Sequence, residues 1–294
     1  MKALFLAGGM GTRLRPLTDD LPKPMVPIMD KPLLERNILK LKSSGIGLEE
    51  VVISTGYKPQ AIEDYFGDGT RHGVRVNYVW EQTPLGTGGA IKNTENFFDR
   101  SFLIFNSDIL CEIDFAAMLA YHKQKRATVT IAVTEVDNPS LYGVIEYDDE
   151  GYVLSFKEKP RPEEIISNYV NAGTYLFEPE VLKEIPSGRP VSVEREVFPA
   201  LLAKNYKIAV FKIRSYWMDI GTPQKYLQAH RDIMNGKYAV SETDFCRQPI
   251  YLGTNCSIHP SAELVGPVYI GDHVKIGAYT TIGPHAVIGS HTQV

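Results

Sequence analysis

Up to about residue 135 the chain alternates continuous apolar runs with amphipathic stretches. "KALFLA", "EVVIST", "VRVNYVW" and "SFLIFNSD" have the pattern of strands in a largely buried parallel sheet. Between them "LLERNILKLKSSG", closed by Gly45, "QAIEDYF" and "GGAIKNTENFF" repeat apolar residues at helical spacing. This alternation predicts an α/β fold with a doubly wound sheet. Residues 128 to 215 are richer in strands, with "TVTIAVTEV", "GVIEYD", "GYVLSF", "NAGTYLF" and "KIAVFKI". They are expected to extend the sheet, make it mixed and roof its cleft. A last helix, "PQKYLQAHRDIMNG", ends at Gly236.

The texture then changes. Beyond a short polar linker, aliphatic side chains recur every six residues, at Leu252, Ile258, Leu264, Ile270, Ile276, Ile282, Ile288 and Val294. Glycine follows most of them. A hexapeptide period predicts a short left-handed parallel β-helix, each hexad forming one face of a triangular coil. The expected division is residues 1–236 for the α/β domain, 237–249 for the linker and 250–294 for the hexapeptide repeats. The repeats give little more than two coils and stop mid-pattern, so the open end is expected to meet a partner subunit or further residues. A homo-oligomer with contacts from the β-helix is the expectation.

A formal net charge of only −4 gives no electrostatic case for nucleic acid or an anionic membrane as partner. Any anion site has to be built locally. Cys111, Cys246 and Cys256 form no CxxC pair and no secreted disulfide framework, and read as small buried hydrophobes. The apolar run in "MKALFLAGG" is too short for a signal peptide and no later segment approaches a membrane span. A reducing cytoplasm is therefore the expected location.

The loop after the first strand, "LAGGMGTRLRPLTDDLPKP", carries the first candidate chemistry. Glycines there let backbone N–H groups turn toward a bound phosphate or base. The loop has neither the GxxxxGK[ST] of a P-loop nor the GxGxxG of a dinucleotide fold. It does carry Arg13 close behind Gly8, Gly9 and Gly11, and Lys23 further on. Two cations converging on a backbone cradle suit a polyphosphate, whereas a flexible turn with solvated charges is the bland alternative.

Asp108 ends the strand "FLIFNSD" and Asp219 stands alone in "WMDIGTP". Carboxylates from two strand ends can hold Mg²⁺, which completes its octahedron with water and phosphate oxygens. Asp108 could instead cap a following helix. In "EKP", Glu158 would accept from sugar hydroxyls and Lys159 would pair with phosphate; such a turn is also common on surfaces. "NAG" offers the amide of Asn171 and, at Gly173, room for close approach. "EQTPLGTGGAI" puts glycines at a helix start, after Glu81 at a strand end. Nothing in the sequence suggests zinc, and the scattered histidines argue against a catalytic one.

Together these motifs resemble the sugar-1-phosphate nucleotidyltransferases. "LAGGMGTRLRPLTDDLPKP", "EQTPLGTGGA", "NSD", "YGVIEYD", "FKEKP", "VNAGTYLF", "SVEREVFPAL" and "WMDIGTP" follow the family's order over residues 1 to about 230. The hexapeptide repeats match a C-terminal domain that many members carry. Within the family, "EQTPLGT", "SVEREVFP" and "WMDIG" are most similar to mannose-1-phosphate guanylyltransferases. The resemblance implies a Rossmann-like domain in which a sugar-1-phosphate oxygen attacks the α-phosphorus of a nucleoside triphosphate and pyrophosphate leaves. It implies catalysis by positioning and charge neutralisation. It places Leu6, Ala7, Gly8, Gly9, Gly11, Thr12, Arg13, Lys23, Glu81, Pro84, Gly86, Thr87 and Asp108 on the nucleotide. Arg13 would steady the pyrophosphate, and Lys23 would bridge toward the α-phosphate. Gly143, Glu158, Lys159, Asn171, Gly173 and Asp219 would take the sugar phosphate, with Asp108 and Asp219 on Mg²⁺.

Guanine shows N1–H and N2–H₂ side by side, so a carboxylate at Glu81 favours GTP, whereas the adjacent Gln82 would suit uracil or thymine. The strand's direction decides which of the two faces the base. Glucose-1-phosphate with UTP or dTTP is the alternative pair. A non-catalytic, regulatory homologue would lack Arg13, Lys23, Asp108 or Asp219, and all four are present. An acyltransferase would need a histidine in a longer solenoid loop, and no such insertion is seen.

Overall fold

A computed structural model describes residues 1–240, 245 and 248–294. The chain opens with β1 (Lys2–Ala7), a small hairpin of β2 (Pro27–Ile28) and β3 (Lys31–Pro32), and α1 (Leu33–Ser43). Next come β4 (Glu50–Thr55), α2 (Pro59–Phe66), β5 (Arg75–Trp80), α3 (Gly86–Asn93) and β6 (Phe102–Asn106). Strands β5, β4, β1 and β6 lie side by side and parallel. The chain winds from β1 to one side and then crosses to β6 on the other, so the strand order reverses beside β1. Loops at the C-terminal ends of β1 and β6 meet at this switch point, where open α/β sheets form their clefts.

Past β6 come β7 (Ile109–Cys111), α4 (Phe115–Lys125), β8 (Val129–Glu135), β9 (Gly143–Tyr147), β10 (Val153–Glu158) and β11 (Tyr169–Phe177). Then follow α5 (Phe198–Ala203), β12 (Ile208–Lys212), β13 (Trp217–Asp219) and α6 (Pro223–Met234). β11 joins β6 antiparallel and carries β8, β9 and β10 with it, while β12 adds parallel to β8. The sheet is therefore mixed and extended, as the strand-rich segment predicted. β13 pairs with β7 in a separate antiparallel ribbon.

Both sheet faces are covered. Ala3, Phe5, Val51 and Ile53 pack with Leu34 and Ile38 of α1, Ile62 of α2 and Met118 of α4. Leu4, Val52, Phe102 and Ile104 pack on the other side with Ile91 of α3 and Phe198 and Leu201 of α5. This explains why the strands read as unbroken apolar runs rather than alternating ones.

Several elements differ from expectation. α3 stops at Asn93, because the buried Thr94 turns its hydroxyl back to the Ile91 carbonyl at 2.7 Å. Asp108 caps no helix, because β7 follows it directly. The capping carboxylate is Asp114, which accepts the Ala117 N–H of α4 at 2.9 Å. Cys111 is buried, and burial pushes its thiol up to about 12. Cys256 is only half-buried, and Cys246 lies outside the described residues. Among the described residues no helix is long and apolar enough to cross a membrane.

The repeats form β14 (Ile250–Leu252), β15 (Ser257–Ile258), β16 (Glu263–Leu264), β17 (Val268–Ile270), β18 (Lys275–Ile276), β19 (Thr281–Ile282) and β20 (Val287–Ile288). Each strand ends on one of the periodic aliphatic residues. Parallel pairing joins Leu252 to Ile270, Ile258 to Ile276, Leu264 to Ile282 and Ile270 to Ile288, so three hexads close one coil. The coil is fastened to the α/β unit. Tyr251, Tyr269 and Val287 pack with Leu14, Ile28, Ile220 and Ile233. Asp30, at the turn of the β2–β3 hairpin, accepts both the hydroxyl and the backbone N–H of Ser290.

Gly271 lies at this junction. A methyl group there would sit 2.6 Å from the Ser290 backbone nitrogen and 2.7 Å from Asp30 Oδ2, whereas one on Gly283 would meet nothing within 4 Å. Gly271→Ala should lower stability by about 1–3 kcal/mol through overpacking. Gly283→Ala should stay within about 0.5 kcal/mol of the parent in the same denaturant titration.

Candidate active site

Two adjoining clefts, of about 430 and 420 Å³, open at the switch point. Arg13, Asn106 and Asp108 line both and form their common wall. Leu6, Ala7, Gly8, Gly9, Gly11, Thr12, Lys23, Glu81, Pro84, Gly86 and Thr87 line the first. Gly143, Glu158, Lys159, Asn171, Gly173 and Asp219 line the second. The residues expected on the nucleotide thus line the first cavity, and those expected on the sugar phosphate line the second. None of the described histidines lines either.

The glycine loop is held from inside. Leu14 is fully buried, its N–H donates to the Gly11 carbonyl at 2.9 Å, and Thr18 donates to the same oxygen at 2.8 Å. Gly11 takes a left-handed φ of 63°, with the Lys23 side chain packed against it. Gly8 is tight for another reason: a Cβ there would lie 2.5 Å from Glu81 Oε1. That carboxylate also accepts the Ser54 hydroxyl at 3.0 Å and the Leu85 N–H at 3.1 Å. Glu81 therefore lines the first cleft while tying β4 and the start of α3 to the glycine loop. Gln82 is exposed and does not line it.

The glycines of "GTGG" serve a close backbone approach. The segment leading into residue 193 lies across the start of α3, where the N–H groups of Gly88 and Gly89 donate to the Val191 carbonyl at 2.8 and 3.2 Å. A Cβ on Gly86, whose φ is 68°, would meet that carbonyl at 2.6 Å. Two of the N–H groups at the start of α3 are therefore spent on protein rather than left for phosphate.

Opposed charges crowd the second cleft. β13 pairs Asp219 with Ile109, and the Ile220 N–H donates to the Asp108 carbonyl at 2.8 Å, which brings the two aspartates to one end of the ribbon. Lys23 binds Asp108 Oδ2 at 2.5 Å. Asp219 is bound by Lys225 of α6, and the Tyr142 hydroxyl donates to it at 3.1 Å. Burial alone would lower the Lys225 pKa, but the hydrogen bonds to Asp219 and Tyr142 outweigh it and the net direction is up. Burial, and next the charge of Glu194, push Glu158 above the ordinary carboxylate range. Asn171 spends much of its amide internally, donating to the Tyr175 hydroxyl at 2.7 Å and accepting the Gly173 N–H at 3.0 Å. Asn106 Oδ1, by contrast, is buried with no partner.

Tyr142, Glu194, Trp217, Thr222 and Lys225 also line the second cleft and were not singled out from sequence. Tyr142 and Glu194 stand inside the family-like motifs "YGVIEYD" and "SVEREVFPAL", but neither motif says which of its side chains faces inward. Lys225 carries no local signal beyond its place in the first turn of the helix that follows Asp219.

Paired clefts at the switch point of a doubly wound sheet, with cations and carboxylates on their shared wall, mark an enzyme fold of the nucleotide-binding α/β type. The chain belongs to the nucleotidyl transferase family, whose model matches residues 2–236, and residues 249–284 match the bacterial transferase hexapeptide repeat. A mannose-1-phosphate guanylyltransferase of Mycobacterium tuberculosis is 39% identical over 95% of this chain and 77% of its own length. A UTP–glucose-1-phosphate uridylyltransferase of Synechocystis is 35% identical over 94% of this chain and 75% of its own. Among solved structures, HddC from Yersinia pseudotuberculosis complexed with GMP-PN superposes with a TM-score of 0.66 at 31% identity, over 78% of this chain and 97% of that one.

The contact between Gly8 and Glu81 gives a test of the first cleft. Gly8→Ala should raise the KM for nucleotide by about tenfold or more, because the methyl group displaces the carboxylate. In a Glu81→Ala background the obstacle is gone, and the same change should cost about twofold or less. Steady-state kinetics of the four proteins in the cycle measure the coupling.

Proposed function

We propose that the first cleft takes GTP and the second mannose-1-phosphate, and that the chain joins them into GDP-mannose with release of pyrophosphate. The observation that carries this reading is the common wall of Arg13, Asn106 and Asp108, where the phosphates of two ligands would meet. A sugar-phosphate oxygen attacks the α-phosphorus; that P–O bond forms as the bond to the β-phosphate oxygen breaks. The nucleophile is already ionised, so no general base is required, in keeping with a site lined by no histidine. Arg13 neutralises charge on the departing pyrophosphate, and Lys23 acts between the two clefts. The choice of GTP is supported by Glu81 rather than Gln82 lining the first cleft, and by the names of the guanylyltransferase relatives.

Asp108 and Asp219 fit a divalent cation, and Mg²⁺ is the ion we assign to them. Their oxygens are hard donors, and among the described residues no group of three or more His, Cys, Asp or Glu could form a closed protein cage. When bound, the ion supplies charge neutralisation on the phosphates. Lys23 pairs with Asp108 and Lys225 with Asp219. We further assign residues 1–236 to catalysis, 237–249 to a connector and 250–294 to contacts between copies of the chain, since the repeats line neither cleft. The cytoplasm is the compartment this reaction implies.

Pyrophosphate release across GTP, UTP, dTTP, ATP and CTP against mannose-, glucose- and N-acetylglucosamine-1-phosphates, with Mg²⁺, tests the reading. GTP with mannose-1-phosphate should dominate. UTP or dTTP with glucose-1-phosphate dominating would replace the substrate pair, and a silent grid from folded protein would leave a binding homologue. Asp108→Asn should lower kcat by on the order of 10²–10³ without loss of fold, as read by circular dichroism. Glu81→Gln should move the base profile away from GTP; an unchanged profile would remove Glu81 from base recognition.

A further inference from the structure

"SVEREVFPAL" is the one conspicuous motif to which the reading above gives no task. Val193–Val197 fold there as a single π turn, a form frequent at functional sites. Its three charged residues part company. Arg195 and Glu196 are exposed, whereas Glu194 is half-buried and lines the second cleft with Glu158.

Glu194 is held from the other cleft. The Thr87 hydroxyl donates to Glu194 Oε2 at 2.7 Å and accepts the Val193 N–H at 2.9 Å. The Ser192 hydroxyl adds a second bond to Oε2 at 2.8 Å. Thr87 itself sits in the first turn of α3 and lines the first cleft. Oε2 is thus saturated by protein donors, and Oε1 has no hydrogen-bond partner among the described residues.

A carboxylate is a costly choice if its only task is to fasten the turn. A glutamine carbonyl could accept the same two hydroxyls without repelling Glu158, whose ionisation the Glu194 charge opposes. The charge becomes useful once a ligand brings hydroxyl donors, because bonds to a charged acceptor are the stronger ones. A pyranose supplies several such hydroxyls.

We propose that Glu194 is a specificity-determining residue that accepts a hydroxyl of the sugar-1-phosphate, and that Thr87 positions it from the wall of the nucleotide cleft. This rests on the sugar-phosphate reading of the second cleft. The nucleotide and sugar subsites then share a mechanical link besides their common wall: movement at the start of α3 moves the sugar-facing carboxylate.

The test uses the full chain and the same pyrophosphate assay. Wild-type turnover with any pair establishes the underlying reading, and no turnover with any pair overturns it together with this inference. E194Q keeps shape and both fastening bonds. It should raise the sugar-1-phosphate KM about tenfold or more, hold the nucleotide KM within about twofold, and change the ranking of mannose- against glucose-1-phosphate. A purely structural Glu194 would instead leave the sugar ranking unchanged, whether both KM values moved together or neither did, and that result overturns the proposal. T87V should reproduce the rise in sugar KM, T87S should restore it, and the T87V/E194Q double variant should be no worse than E194Q for the sugar. T87V with an unchanged sugar KM would overturn the positioning role of Thr87.

Discussion

The backbone ladder between β7 and β13 forces two carboxylates, Asp108 and Asp219, into one place, and the charged part of the site is organised around that constraint. Both line the second cleft, where uncompensated carboxylates would repel an incoming phosphate. Each has therefore been given its own lysine, from opposite ends of the α/β unit: Lys23 from the loop after β1, and Lys225 from α6. Arg13 stands beside them, its guanidinium within 3.5 Å of where a Cβ on Gly221 would lie. The result is a wall with nearly balanced charge, which on the proposed reading receives polyphosphate and a cation together. A local arrangement of this kind lets a chain with little net charge offer cations to an anionic ligand.

Glycine does two kinds of work around that wall. In the loop after β1, Gly11 needs its left-handed backbone, while Gly8 makes room for the Glu81 carboxylate. At the start of α3, glycines admit the backbone at Val191 so closely that the helix N-terminus bonds to protein. A glycine-rich helix start therefore does not by itself denote a phosphate site. Here it is the means by which the segment bearing Glu194 reaches the wall of the first cleft.

What the sequence disclosed follows the range of each signal. Hexads, buried parallel strands and the loop after β1 are local and repeated, and they were legible residue by residue. α4 was not, because "FAAMLAYHKQK" buries only Phe115, Met118 and His122 and its alanines blur the apolar stripe. β7 and β13 are three residues each, too short to show a period. Asp108 looked able to cap a helix because nothing local reveals that a strand follows it. Glu194 and Thr87 are separated by 107 positions, and a single hydrogen bond across that distance leaves no trace in either neighbourhood.

The β2–β3 hairpin shows how the repeats can matter to a site they do not line. It begins two residues after Met25, the end of the short turn that starts at Lys23, and it is clamped on several sides. Arg36 donates to the Ile28 carbonyl at 2.6 Å, Tyr226 donates to the Pro27 carbonyl at 2.9 Å, and the Met29 N–H donates to His230 at 3.0 Å. Asp30 completes the clamp by reaching Ser290 in the last full hexad. Tyr226 and His230 lie on α6, the helix that also carries Lys225. The coil therefore docks on the hairpin that follows the Lys23 turn and that α6, the helix of Lys225, also clamps.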